Sequence, residues 1–321
     1  MSDAPSVELE VVHETRYAYT APVSLAHHLA HLRPLQDPHQ QLLSFDLAVE
    51  PSAGSLSDSL DALGNPQIHF SLVQPHQKLC VRAVSRVRVS PRFRQLRPGA
   101  SPPWAEVAAR LRYVARGPFE PAVEFAMPSP FVPGLPALRE YGARSFTAGR
   151  PVAEAAIELM HRIHADFKYQ SQSTAVDTPL ATVLQQRRGV CQDFAHLMTG
   201  VLRIWGVPAR YVSGYLLTHA PEGGALMQGA DASHAWVQAW CPGTPGVPTT
   251  GGHAGWLDLD PTNDLVPGTG HVRVAVGRDF GDVTPLRGVI RGGGHHTLSV
   301  AVGTRRLHRG GDPDPERELL E

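Results

Sequence analysis

Cysteine is scarce in this chain. Three stand among 321 residues, Cys80, Cys191 and Cys241. So small and odd a number supports no disulfide framework and suits a reducing compartment, so a cytoplasmic location is expected. Residues 1–9 lack a basic segment followed by an apolar run, so no secretory leader is expected. No stretch approaches the roughly 18 to 20 continuous apolar residues that a spanning helix needs, and no membrane partner is expected. Neither charge sign is in excess: 29 Lys and Arg face 30 Asp and Glu, for a net charge of -1. That balance argues against nucleic acid as a main partner. What is plentiful is hydrophobic residue, at 42%, enough for one large domain or two ordinary ones. Histidine is also plentiful, at 17, so a histidine near another polar group means little by itself.

Four stretches can be told apart. Residues 1–95 read as a β-rich domain. Val7 to Val12 and Lys78 to Val89 alternate with the period of half-buried strands. In the second run Val81, Ala83, Ser85, Val87 and Val89 share one face, and Arg82, Arg86 and Arg88 share the other. An antiparallel sandwich is the natural solution. Residues 96–150 are broken by prolines, among them Pro102, Pro103, Pro133 and Pro136, and read as a connector with a short helix near Trp104 to Val114. Residues 151–308 read as a catalytic domain. An amphipathic helix is expected over Val152 to Phe167 and a second over Val190 to Trp205. Strands are expected at Ala209 to Leu217, Ala232 to Cys241, Trp256 to Asp260, Val272 to Val276 and Thr297 to Val302. Helices followed by a run of strands predict an α+β fold. Residues 309–321 read as a polar tail.

Cys191 is singled out by its position. Apolar residues recur at 194, 197, 198, 201, 202 and 205, the pattern of a helix with one buried face. Gly206 supplies its stop and Pro208 follows. Gly189 breaks the chain just ahead, so Cys191 falls in the first turn. There the unpaired N–H groups and the helix dipole favour a thiolate over a thiol. The Cys191 N–H can also face a developing oxyanion. Cys80 in a strand and Cys241 at a strand end read as structural residues.

A thiolate nucleophile needs a base within hydrogen-bond reach. His196 is near in sequence, but five residues at about 100° each carry it roughly 140° around the helix from Cys191. It reads as a packing or hydrogen-bonding residue. His234 is better placed, on a strand face with Trp236, Gln238 and Trp240. Trp236 would keep water from the imidazole. On a neighbouring strand Trp256, Asp258 and Asp260 share a face, and Pro261 ends that strand. Either carboxylate could reach His234 Nδ1 and set its tautomer. Spacing does not choose between them.

Together these residues resemble the transglutaminase-like superfamily. The resemblance rests on Gly189-Val190-Cys191, His234-Ala235-Trp236 and Trp256-Leu257-Asp258-Leu259-Asp260. It extends through Arg188 to His196, Gly206 to Tyr215, Asp260-Pro261-Thr262-Asn263 and Val274 to Val283, which look like the bacterial branch. Tyr17-Ala18-Tyr19 and Leu63-Gly64-Asn65 resemble that branch's N-terminal domain. The resemblance covers about residues 7–305. It implies a papain-like core, with the nucleophile helix packed on an antiparallel sheet or barrel that bears the histidine and the acid. It selects Asp260 over Asp258, because the family's acid stands four residues after the tryptophan. The implied set is Cys191, His234 and Asp260, acting through a thioester on a protein or peptide substrate; no cofactor or metal is expected. The reaction that the resemblance implies is protein-glutamine acyl transfer or peptide or amide hydrolysis. For a side-chain oxyanion donor, Tyr169 or Gln170 in the loop before the helix is the candidate.

Two other classes compete. A non-catalytic binding module could keep the same fold. A metal-binding module could draw on His161 with His164, on His27, His28 and His31, or on His295 with His296. No cysteine pair has zinc-finger spacing.

Overall fold

A computed structural model describes residues 6–112, 114–117, 119–171, 173–217, 227–228 and 233–307. The expected tail at 309–321 and the first residue of the expected strand beginning at Ala232 lie outside the described residues.

The N-terminal region is organised by one long strand, β1 (Val7–Ala30). β2 (Gln40–Glu50), β3 (Ser55–Leu60), β4 (Pro66–Leu72) and β5 (His76–Val89) follow. The first half of β1 pairs with β5, and its second half pairs with β4, all antiparallel. The β1–β5 register breaks between Ala18 and Val23, around Pro22, which has no N–H to give to a ladder. The two halves close on a shared core: Val23, Ala26 and Ala30 with Ile68, Phe70 and Leu72, and Leu79, Val81 and Ala83 from β5. The region is β-rich as expected, with its strands joined in one sheet that β1 folds over this core. The predicted alternation of β5 also holds, with Val81, Ala83, Ser85, Val87 and Val89 all buried.

The connector carries two helices, α1 (Trp104–Arg110) and α2 (Pro136–Gly142). Three longer or better-placed elements follow: α3 (Val152–Asp166), α4 (Leu180–Gln186) and α5 (Cys191–Ile204). Between them β6 (Lys168–Tyr169) and β7 (Arg188–Gly189) form a short parallel pair. β8 (Ala209–Leu216), β10 (His234–Trp240), β11 (Trp256–Leu259) and β12 (His271–Gly277) make an antiparallel sheet in the order β11-β10-β8-β12. One face buries Ala235, Val237, Ala239, Leu257, Leu259 and Val272 with Phe194, Leu197, Val201 and Leu202 of α5. Burying one such aliphatic side chain stabilises by about 1.5–3 kcal/mol. The helix-on-antiparallel-sheet core matches the α+β expectation.

The last strands depart from the expected layout. β13 (Leu286–Gly292) and β14 (His296–Leu307) pair with β1, and the two-residue β9 (Met227–Gln228) pairs with β14. Within the stretch 151–308, residues 286–307 therefore complete the N-terminal sheet rather than the sheet bearing His234. The physical reason is that each half of β1 has a second open edge. An alternating pattern marks a strand's faces but not its neighbour.

The two sheets are tied at the edge of β12. Leu35 N–H donates to Arg273 O at 2.9 Å. Gln40 Oε1 accepts from Arg273 N–H at 2.8 Å, and Gln40 Nε2 donates to Arg273 O at 2.7 Å. Asn65 repeats the device: its Oδ1 accepts from Val276 N–H and its Nδ2 donates to Val276 O, both at 2.8 Å. Both amides are fully buried. They act as one-residue strands that satisfy an edge water cannot reach. Among the described residues no helix is long and apolar enough to cross a membrane.

Candidate active site

The chain enters α5 from β7 in extended conformation, with Val190 as the cap residue and Cys191 as the first helical residue. The cap is built from Asp193. Its Oδ2 accepts from Val190 N–H at 2.8 Å and from Thr174 Oγ1–H at 2.6 Å. Gly189 is required here, since a Cβ would stand 2.6 Å from that same oxygen. Burial raises the Asp193 pKa, against the two hydrogen bonds that favour its charge. Cys191 is buried in the first turn, where N–H groups have no intrahelical acceptor. Cys241 is wholly buried and its thiol is pushed strongly up by desolvation, and burial raises Cys80 too.

His234 opens β10 and Asp260 directly follows β11. His234 Nε2 lies 2.7 Å from Asp260 Oδ2. The expected contact was through Nδ1; the ring presents Nε2 to the acid, which leaves Nδ1 for the thiol side. Burial alone would lower the His234 pKa. The hydrogen bond to Asp260 and the one to Cys191 outweigh it and raise the group to about 10. Asp260 is fully buried, which would raise its pKa, but hydrogen bonds from His234 and His271 hold it well below the usual carboxylate range. Trp236 is fully buried and stacks on His234 at 6.0 Å between ring centroids, as expected of a water-excluding neighbour. Opposite His234 in register stands Gly214, where a Cβ would meet Val272 O at 2.2 Å and the Trp236 ring at 2.5 Å.

So the structure brings Cys191, His234 and Asp260 together. Asp258 goes elsewhere: its Oδ1 accepts from Gln238 Nε2–H at 2.6 Å, four residues along β10 from His234. His196 is a packing residue, as expected. It lies between Phe131 and Tyr211, accepts from Phe280 N–H at 3.1 Å, and burial lowers its pKa to about 4. Tyr169 pairs with Gly189 in the β6–β7 ladder, and Gln170 N–H donates to Gly189 O at 3.0 Å. Both oxyanion candidates thus sit beside the start of α5. Tyr169 is partly exposed and its ring touches Phe194.

Sequence reasoning missed two groups. His271, the first residue of β12, places Nε2 3.0 Å from Asp260 Oδ2. Asn263 donates Nδ2–H to Asp260 Oδ2 at 2.8 Å, and its backbone N–H joins that of Thr262 on Oδ1 at 3.1 and 3.0 Å. Asn263 stood in the quoted Asp260-Pro261-Thr262-Asn263 run, where an Asx-type turn after the acid was a readable signal. His271 carried no local signal, because β12 meets Asp260 only through the fold.

Among the described residues, none of the histidines considered as metal ligands belongs to a group of three or more gathered donors. His161 contacts Asp264 Oδ1, whereas His164 Nδ1 lies 3.0 Å from Thr262 O. His28 stacks on Phe70, and His31 Nδ1 lies 3.3 Å from Thr284 O. The donors that do gather, among the described residues, are His234, Asp260 and His271, with ligand atoms within 4.8 Å of one another. A cation there would displace the imidazole protons that hold the acid in place.

The sequence matches the bacterial transglutaminase-like N-terminal region over residues 9–88 and the transglutaminase-like superfamily over residues 140–261. The chain belongs to the bacterial transglutaminase-like family. An uncharacterized protein of Mycobacterium tuberculosis is 39% identical over 282 residues, covering 87% of this chain and 86% of that protein. A protein-glutamine gamma-glutamyltransferase of Pseudomonas aeruginosa is 33% identical over 121 residues, which span 37% of this chain and 17% of that protein. A crystal structure from Cytophaga hutchinsonii, provisionally named a cysteine protease, aligns with a TM-score of 0.71 at 20% identity, covering 97% of this chain and 94% of the other. That likeness shows the shared fold. Family members of this kind are generally cysteine enzymes.

Proposed function

We propose that the chain is a cysteine-dependent acyl-transfer enzyme acting on amide carbonyls of protein or peptide substrates. One observation carries the reading: a helix-start cysteine shares an imidazole with a buried carboxylate that accepts five hydrogen bonds. Cys191 sulfur attacks the carbonyl carbon, and first-turn N–H groups face the developing oxyanion. The C–N bond breaks as His234 gives its proton to the leaving amine. Water or a primary amine then attacks the thioester carbonyl, His234 takes the proton, and the Cys191 thiol is regenerated. The acid fixes the ring and stabilises the imidazolium throughout.

Alkylation by iodoacetamide at neutral pH, read site by site, tests the activation. Cys191 is expected to react at least tenfold faster than Cys80 and Cys241, and His234→Ala is expected to remove most of that advantage. Equal, slow reaction at all three would sink the proposal. Ammonia release from a glutamine peptide, with and without a primary amine, separates hydrolysis from transfer, with Cys191→Ala as the blank.

A further inference from the structure

The sheet face turned away from α5 carries a second group of buried charges. It begins at Gln238 and Asp258, four residues along β10 from His234, roughly 13 Å at about 3.3 Å per residue. Beyond them a cavity of about 560 Å³ lies between this sheet and the N-terminal region. Its walls include Asp37, His39, Arg92, Arg210, His253 and Arg273, and the loop of residues 248–252 lines it as well.

The charges in this cavity do not balance. Asp37 Oδ2 takes both Arg92 Nη2 and Arg273 Nη2 at 2.9 Å. Asp258 Oδ2 stands 4.0 Å from Arg273 Nε. Arg210 has no carboxylate at ion-pair distance among the described residues. Its guanidinium lies 3.9 Å from the Trp256 ring centroid and 4.5 Å from that of Phe125, and it donates once, to Gly252 O at 3.1 Å. Nε of Arg92, of Arg210 and of Arg273 is buried without an acceptor. The side chains of Arg92 and Arg273 are only 2% and 1% exposed. The histidines add no negative charge: His253 accepts from Arg273 Nη1 at 2.8 Å and is held neutral, as burial and then the Arg273 cation lower it to about 3. Three guanidinium groups against two carboxylates leave one positive charge over. The surplus falls on Arg210, which is half-buried, with Nε lacking an acceptor and the rest of the fork open to an anion that enters the cavity.

We infer that this cavity binds one small oxyanion, a carboxylate or a phosphate group, on Arg210 with Arg92 and Arg273. Planar guanidinium forks match both chemistries. Asp37 fixes two of the three arginines before the ligand arrives, and the cavity volume falls within the range of small-molecule sites, so the anion can carry an organic body. The site is separate from Cys191, with Trp236 between them along β10.

Thermal unfolding and calorimetric titration of the full chain test this, with sodium phosphate and sodium succinate in parallel arms against sodium chloride at matched ionic strength. The expected result is saturable binding of at least one oxyanion, with a Tm rise of about 5 °C when the site is filled. The arm that saturates identifies the group. Arg210→Gln is expected to weaken binding at least tenfold while leaving Cys191 alkylation unchanged. Arg92→Gln serves as a second variant should the first unfold. Selenate soaked into crystals of the native chain is expected to give anomalous density in the cavity. Absence of saturable binding in both arms, or full retention of binding in a folded Arg210→Gln chain, overturns the inference.

Discussion

Asp260 holds more donors than an orienting acid needs. Three of them, from His234, His271 and Asn263, meet on Oδ2 alone. Hydrogen bonds to a charged group contribute about 1.5–3 kcal/mol each, so His271 is a sizeable part of what keeps this buried carboxylate ionised. His271→Phe is therefore expected to lower acyl-transfer activity roughly 10- to 100-fold while the fold persists, by weakening the acid's hold on His234. Asp258→Asn, lacking any contact with His234, is expected to leave the chemical step within about threefold of wild type. Asp260→Asn makes a sharper case. His234 stands near 10 because the carboxylate and the thiol outweigh burial. Its protonated form is thus the resting form, and activity is expected to fall as pH rises through about 10. Removing the carboxylate moves that alkaline edge downward. An edge that stays in place in Asp260→Asn, read from initial rates on a folded sample, would show that Asp260 does not set the His234 proton.

At the scale of elements, the position of α5 matters because the nucleophile candidate depends on where the helix starts. That start was legible: Gly189, the apolar period from Phe194 to Trp205 and Gly206 at φ +82° bracket it. The β5 alternation was legible for the same reason, as one face is buried. Other features were not. Which strand β13 and β14 join is a tertiary choice, and a period of two is silent on it. The ring face that His234 turns to Asp260 depends on how β11 ends, and His271 reaches the acid only across the sheet. The closure of the β12 edge was hidden in the same way, since nothing local in Gln40 or Asn65 marks a partner more than 200 residues away. Yet that closure holds the sheet edge next to the candidate site. Asn65→Leu leaves Val276 N–H and C=O buried without partners, each a cost of about 1–3 kcal/mol. The expected loss is about 2–5 kcal/mol in denaturant unfolding. A loss below 1 kcal/mol would mean that water or a shifted loop replaces the amide.

For the whole molecule, the joined sheets bury histidines that cannot easily take a proton. His13 sits between its Thr15 neighbour and Tyr215 of β8, with Oγ1 at 3.1 Å from Nε2 and the phenol at 3.1 Å from Nδ1. His28 lies on Phe70 in the N-terminal core, and His196 is enclosed by aromatic rings on α5. Burial lowers each from 6.5 to about 4. The unfolded chain takes up protons at these sites as pH falls through 6.5, and the folded chain does not until about 4. Stability therefore declines across that window and levels off below it, by up to about 3 kcal/mol for each histidine. The Asp260 contribution belongs to a lower window, because its folded pKa is depressed and its stabilisation is lost only as pH drops below 3.8. His13→Gln separates this from general acid sensitivity, since an amide can still bridge toward Thr15 and Tyr215 but takes no proton. Urea unfolding at pH 7 and at pH 4.5 is expected to show a smaller acid loss in His13→Gln than in wild type. If the two lose equal stability between those pH values, the seam between the sheets is not where acid opens the protein.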